Sequence, residues 1–354
     1  MRVSQRQVQD AGTVQRSFAV DLHSMKLEST VYRINVDDVH LCYEIDNVSY
    51  ILTSNPSTMC VLFYVFCSLL SVVTICGNLL VIISIIYFKQ LHTSTNYLIL
   101  SLAVVDMLVG ALVFPLSMTI SFSLCLYSGG LFCKLRDGFE ITLTASSILN
   151  LCCISIDRYH AVCQPLTYRI KINDRVIVIM ILGIWGASVV TAVVFVMVGS
   201  NQHICKEKCL IDVTLAIING TLGIIVTFYL PLIVMLFIYL KIFLVAWRQA
   251  RSIQATKSGT SVSKMETKAT RTLAIVMGVF TICWTPFFSY MIFNYFGYNS
   301  FSVPVTEAIM WLALSNSMLN PFIYGFFYSW FRLAFKIIIS GKILQGDFAN
   351  SKLH

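Results

Sequence analysis

Charge is what this chain has least of. Asp, Glu, Lys and Arg make up 12% of its 354 residues, where water-soluble domains carry about a quarter. Apolar residues reach 57% and the mean hydropathy is +0.78, which excludes a water-soluble globule. Proline is sparse at 7 residues, and neither low-complexity runs nor internal repeats occur. Long linkers have little room, and a transporter built from duplicated halves is disfavoured. Enzyme signatures are missing too: there is no HExxH, no G-x-S-x-G and no phosphate-cradling glycine loop. The histidines, at 23, 40, 92, 160, 203 and 354, fall in tails, loops or at span edges. The chain reads as a non-enzyme without an organic cofactor. Its formal charge of +8 does not indicate nucleic acid, because the positive residues lie between apolar stretches and not on one soluble face.

What is abundant is long apolar sequence. A bilayer span needs about 20 mostly apolar residues, and seven such stretches occur, at 59–87, 95–118, 133–163, 173–198, 213–247, 268–296 and 303–327. The expected fold is an all-α seven-helix membrane bundle covering 59–340. The connectors are polar; Phe88 to Thr93 is the first, and Arg248 to Thr267 the longest. After the seventh span, Tyr328 to Ser340 mixes apolar residues with Arg332 and Lys336, as an amphipathic eighth helix lying on the membrane surface would.

Positive charge sets the orientation. With the amino terminus outside, the inner connectors hold Lys89, Arg158, Arg169, Lys171, Arg175, Lys241, Arg248, Arg251, Lys257, Lys264, Lys268 and Arg271, while the outer loops hold only Lys134, Arg136, Lys206 and Lys208. Residues 1–58 then form an extracellular tail and 341–354 a cytoplasmic one. The outer tail has no apolar run resembling a cleavable leader, and Met25 is a second candidate start. Asn47-Val48-Ser49 is a glycosylation sequon on the outer side. Cys42, Cys125, Cys133, Cys205 and Cys209 also fall outside or at the outer rim, where disulfides persist; spacing leaves their connectivity open. Cys67, Cys76, Cys152, Cys153 and Cys283 lie within spans and read as small apolar packing residues.

An ionisable group inside a span is costly, so each is a functional candidate. Span two carries Asp106, and span three carries Glu140 with Asp157 and Arg158 at its inner end; span seven offers Asn316, Ser317, Asn320 and, near its outer end, Glu307. Asp106 reads either as a hydrogen-bonded packing residue or, with Ser147, Asn316, Ser317 and Asn320, as part of an oxygen-rich sodium site. Pro115, Pro231, Pro286 and Pro321 lie inside spans and mark kinks, either static or hinging.

These residues, taken in order, carry a resemblance. Gly77-Asn78, Leu102 with Asp106, Asp157-Arg158-Tyr159, Trp185, Pro231 with Tyr239, Cys283-Trp284-Thr285-Pro286 and Asn320-Pro321-Phe322-Ile323-Tyr324 resemble the rhodopsin-like G protein-coupled receptor pattern. The stretch from Asn316 to Phe331, with Lys89 to Thr93, Glu266 to Ala269 and Cys205 to Cys209, is similar to trace amine-associated receptors. That resemblance implies Cys133–Cys209 and Cys42–Cys205 disulfides, with Tyr50 where the subfamily usually has another cysteine. It implies a ligand ammonium held by Glu140, seven residues after Cys133, with aromatic faces adding cation–π attraction. Trp284, Phe287, Phe288 and Trp311 would form the pocket with Thr144, Met291 and Leu314. Trp284 would relay movement to Pro231, Ile148 and Phe280; Arg158, held at rest by Asp157 and Glu266, would be released, with Tyr239 and Tyr324 swinging inward. The implied partners are a small amine, a heterotrimeric G protein of the stimulatory class, arrestin and membrane lipid.

Two positions depart from the family pattern: Glu140 is usually Asp, and Leu314 is usually a Tyr whose hydroxyl supports that acid. Span five presents Ile224 and Thr227, not an acid, which disfavours a diamine clamped at both ends. A non-amine ligand on the same scaffold stays open, as does a transporter or channel. Glu140 itself is expected to be a lone carboxylate awaiting its counter-charge from the ligand.

Overall fold

The structure, a computed structural model, describes residues 58–122, 131–201, 220–255, 261–296 and 303–344. Cys42, Asn47, Cys205 and Cys209 lie outside the described residues, as do the side chains of Cys133 and Glu266, whose backbone is helical.

The expected spans appear as helices with nearly the expected ends. The first runs Thr58–Tyr87, the second 94–122, the third Leu131–Cys163, the fourth Asp174–Asn201, the fifth 220–255, the sixth Ser261–Tyr295 and the seventh Val303–Phe327. An eighth helix, Ser329–Ile339, is bent by 106° from the seventh. It buries Phe331 and Ala334 and exposes Arg332 and Lys336, the amphipathic pattern its sequence spacing foretold. Gly341, with φ at 69°, ends it: this left-handed residue donates its N–H to the Ile338 carbonyl.

Helix starts follow local chemistry. Thr93 caps the second span, its hydroxyl accepting the Asn96 N–H at 3.3 Å, while Asn96 Nδ2 donates back to the Leu91 carbonyl at 2.8 Å. The connector from Arg248 to Thr267 is shorter than expected, because helix continues to Ala255 and resumes at Ser261. Hydropathy marks where the membrane ends, whereas these polar residues are still adequate helix formers. Another unforeseen element is the short helix Pro165–Lys171 after span three, with Pro at its favoured first position.

The intramembrane prolines act in two ways. Pro286 and Pro321 sit within continuous helix. Pro115 and Pro231 instead follow wide turns at Val109–Val113 and Ile225–Tyr229, closed by bonds from Phe114 N to Val109 O and from Leu230 N to Ile225 O. The extra residue in each turn accommodates the proline ring against the preceding carbonyl.

Span three is the hub, packing on spans two, four, five and six. Outward faces are the reverse of a soluble protein's: Ile179, Leu182, Val190 and Val193 on span four, and Ile233, Phe237, Leu240 and Phe243 on span five, are all exposed. Apolar faces of that extent need lipid to cover them. Cys67, Cys152, Cys153 and Cys283 are free thiols packed in or against the apolar cores, as expected, whereas Cys76 is free but exposed.

Close contact between spans one and seven depends on a missing side chain. A Cβ at Gly77 would lie 3.2 Å from Pro321 Cβ and Cγ. Beside it, Asn78 Nδ2 donates to the carbonyls of Thr74 and Ser317, both at 3.0 Å. Replacing Gly77 by Val should therefore overpack this seam at a cost of about 1–3 kcal/mol. The thermal midpoint of the purified protein in detergent is expected to fall, while Gly183→Ala, with nothing within 4 Å of the added carbon, leaves it in place. An unchanged Gly77→Val midpoint would contradict the packing described.

Candidate functional site

In a medium without water, a carboxylate must be satisfied by protein. Asp106 is fully buried, accepting from Asn320 Nδ2 at 2.7 Å and from the Ser317 side chain. Asp106 Oδ1, Ser147 Oγ, Asn316 Oδ1 and Asn320 Oδ1 are each buried with no hydrogen-bond partner among the described residues. Orphaned buried oxygens are costly, and an all-oxygen donor set of this kind fits a small hard cation. The residues proposed for sodium thus suit that ion chemically.

Glu140 is not the lone carboxylate expected. Arg136, one turn earlier on the same helix, places Nη2 at 2.9 Å from Glu140 Oε2, and Nη1 at 3.1 Å from Asp137 Oδ1. Their side chains are largely shielded, 20% exposed for Arg136 and 15% for Glu140. The sequence reading counted Arg136 as an outer-loop charge; the helix begins at Leu131, which puts positions 136 and 140 on one face. The i,i+4 spacing was the available signal. Glutamate has the reach to turn back to this arginine one turn earlier.

Leu314 cannot supply a supporting hydroxyl. It is buried in an apolar cluster with Val105, Val113, Phe114, Met118, Leu143 and Trp311. Trp311 donates from Nε1 to Glu307 Oε2 at 3.2 Å, and its ring lies 5.5 Å from that of Phe114. The other aromatic candidates gather in the larger core. Trp284 contacts Phe287 at 5.9 Å and Phe288 at 5.6 Å between ring centroids. The proposed pocket residues are therefore divided between two apolar clusters, with Thr144 and Met291 half-buried.

Trp284 also lies 6.2 Å from Phe280, and Ile148 is buried in the same core. The central piece of this relay was missed by sequence reasoning. Phe228, fully buried, stacks on Phe288 at 4.1 Å and meets Phe280 at 6.2 Å. Pro231 is half-buried, and Phe228, three residues earlier, makes the ring contacts of span five. The wide turn at Ile225–Tyr229 carries it.

At the inner end, Arg158 donates from Nε and Nη2 to Asp157 Oδ2 at 2.9 and 2.7 Å. Thr95 of span two donates to the same oxygen at 2.7 Å and itself accepts from Arg158. Tyr168, on the short helix, donates to Asp157 Oδ1 at 2.7 Å. Burial, together with the adjacent Asp157 carboxylate, pushes the Tyr168 hydroxyl up to about 12, so it stays a donor at physiological pH. Thr95 and Tyr168 were also missed; only the Asp157–Arg158 pair was foreseen. Tyr159 is half-buried with its ring edge against His160 at 5.6 Å. Tyr239 is hydrogen-bonded to Ser155. Tyr324 is buried and stacked on Phe331 at 5.9 Å, its hydroxyl without a partner among the described residues. At this inner face Arg158 is buried and paired with Asp157 and Thr95.

The model of the 7 transmembrane receptor (rhodopsin family) matches residues 77–324. Among relatives, Trace amine-associated receptor 1 of Macaca mulatta is 41% identical over 332 residues, 88% of this chain and 97% of the relative. Trace amine-associated receptor 4 of Mus musculus is 40% identical, covering 90% and 96%. Trace amine-associated receptor 9 of Homo sapiens is 39% identical, covering 89% and 95%. The chain belongs to the trace amine-associated branch of the rhodopsin family. It is a G protein-coupled receptor, a multi-pass protein of the plasma membrane, and its family is one of receptors rather than enzymes.

For this receptor the Asp157 network gives a direct expectation. Tyr168→Phe deletes one bond to a buried carboxylate, worth about 1–3 kcal/mol, from the closed state. Ligand-free signalling per receptor at the cell surface should rise severalfold; a basal signal equal to wild type would show that Tyr168 does not hold the closed face.

Proposed function

We propose that this receptor detects small amines, that Glu140 takes the ligand's ammonium, and that the response passes through Trp284 to Arg158 and a G protein of the stimulatory class. The supporting observation is a shielded carboxylate in the outer third of span three, together with relatives named for trace amines. The two carboxylate oxygens of Glu140 accept several hydrogen bonds. An ammonium shares or displaces Arg136 there, while the apolar residues of the pocket exclude water and strengthen the pairing.

Ligand pressing on Trp284 and Phe288 moves the Phe288–Phe228–Phe280 stack, and the inner half of span six follows. Arg158 then leaves Asp157 and Glu266, and Tyr239 and Tyr324 turn toward the opened cavity that receives the G protein. An agonist drives this only by binding the open form more tightly than the closed one. Asp106, Ser147, Asn316, Ser317 and Asn320 would hold a sodium ion, which supplies a counter-charge to Asp106 and favours the closed form. Disulfides Cys133–Cys209 and Cys42–Cys205 and a glycan on Asn47 complete the outer side; arrestin and lipid are further partners. A second reading, a non-amine ligand, is favoured by Arg136 already neutralising Glu140 and by Leu314 in place of the family's tyrosine.

In cells carrying a cyclic AMP reporter, Glu140→Gln should weaken responses to an amine panel by about a hundredfold or more, as expected when a buried charge loses its partner. Retention of wild-type potency would remove Glu140 and favour the second reading. Sodium should lower agonist affinity in the wild type and have no effect in Asp106→Asn; an equal sodium effect in both would exclude the proposed ion site.

A further inference from the structure

The Arg136 guanidinium has more donors than its present contacts use. Nη2 meets Glu140 Oε2 at 2.9 Å and lies 3.8 Å from the Met310 sulfur of span seven, and Nη1 meets Asp137 Oδ1 at 3.1 Å. Nε is buried without a hydrogen-bond partner among the described residues. Nε and Nη2 together form the edge of a guanidinium that grips a carboxylate through two parallel bonds. Glu140 occupies one of those two donors, so the other half of a carboxylate-binding edge is a buried, unpaired donor beside the acid proposed to hold the ammonium.

Charge balance points the same way. Asp137 is 50% exposed, so water screens it. The two shielded groups, Arg136 and Glu140, cancel one another. A bare amine entering here places its positive charge beside a guanidinium that already shares Glu140. A ligand bearing both ammonium and carboxylate enters with no net charge and exchanges one ion pair for two. Because the two protein groups already touch, the ligand's two charges must be close together, on one carbon or neighbouring carbons.

We infer that Arg136 is a specificity-determining anchor for the acid group of a zwitterionic amine, making α-amino acids and similar molecules the ligand class of this site. The inference rests on the reading in which Glu140 binds the ammonium. It gives the departures from the family pattern one purpose: glutamate spaces its carboxylate toward Arg136, and Leu314 no longer has to support it.

The test uses full-length receptor in cells with a cyclic AMP reporter and matched probes that differ only by a carboxylate: phenylalanine against 2-phenylethylamine, and leucine against isopentylamine. Surface amounts are measured through an amino-terminal tag. In the wild type each amino acid should act at lower concentration than its amine. Arg136→Gln should weaken the amino acids at least tenfold and strengthen the amines, Arg136→Lys should keep part of the amino acid response, and Glu140→Gln should weaken both. Activation by the amines alone, dependent on Glu140, would overturn the role of Arg136 and leave the amine reading standing. Silence to both members of each pair would overturn both. Equal shifts of both members in Arg136→Gln would also overturn it. Should that variant not reach the surface, the wild-type order within each pair and Arg136→Lys decide the matter.

Discussion

A carboxylate sealed away from water has to be neutralised or hydrogen-bonded by its own protein, and the polar architecture of this receptor follows from that constraint. Three such groups are arranged along the bundle. Glu140 near the outside is held by Arg136, Asp106 in the middle by Asn320 and Ser317, and Asp157 at the inner face by Arg158, Thr95 and Tyr168. Each takes at least one partner from within the chain, although one oxygen of Asp106 is left without any among the described residues. A signal that crosses the bundle must therefore exchange partners at one end and release partners at the other.

Between these polar stations lies close apolar packing. The stack from Trp284 and Phe288 through Phe228 to Phe280 is continuous from the pocket toward the inner half of span six. Packed interiors of this kind yield by switching between discrete arrangements and not by gradual deformation. The wide turn that carries Phe228 also lets span five accept Pro231. It thus couples a backbone irregularity to a ring that touches both Phe288 and Phe280.

Much of this was legible in the sequence. Seven apolar stretches located the helices, because hydrophobic length is set by bilayer thickness, although the fifth and sixth run seven or eight residues past their apolar stretches at the inner side. The eighth helix followed from its apolar residues alternating with Arg332 and Lys336. The Asp157–Arg158 pair was anticipated from the family resemblance, and Asp106 was grouped with Asn320 because ionisable residues in a span are costly. Other features were hidden for physical reasons. The turns at Val109–Val113 and Ile225–Tyr229 have no residue signature beyond a nearby proline, since any apolar residue accepts the extra-residue turn. Tyr168 and Thr95 reach Asp157 across tertiary distances of 11 and 62 residues in sequence, which local pattern does not report. Arg136 is different. Its spacing from Glu140 was in plain view, and it was overlooked because an arginine near an outer loop was assigned to orientation and not to pairing.

The account turns on whether Arg136 and Glu140 are partners in the empty receptor. A double-mutant cycle with Arg136→Gln, Glu140→Gln and the combination, read as thermal stability of purified receptor without ligand, measures that coupling directly. The two single changes should each destabilise, and the double variant should lose less than their sum, with a coupling of about 1 kcal/mol or more. Strict additivity would mean that the two charges do not sense each other, and would contradict the arrangement on which both the closed state and the zwitterion site depend.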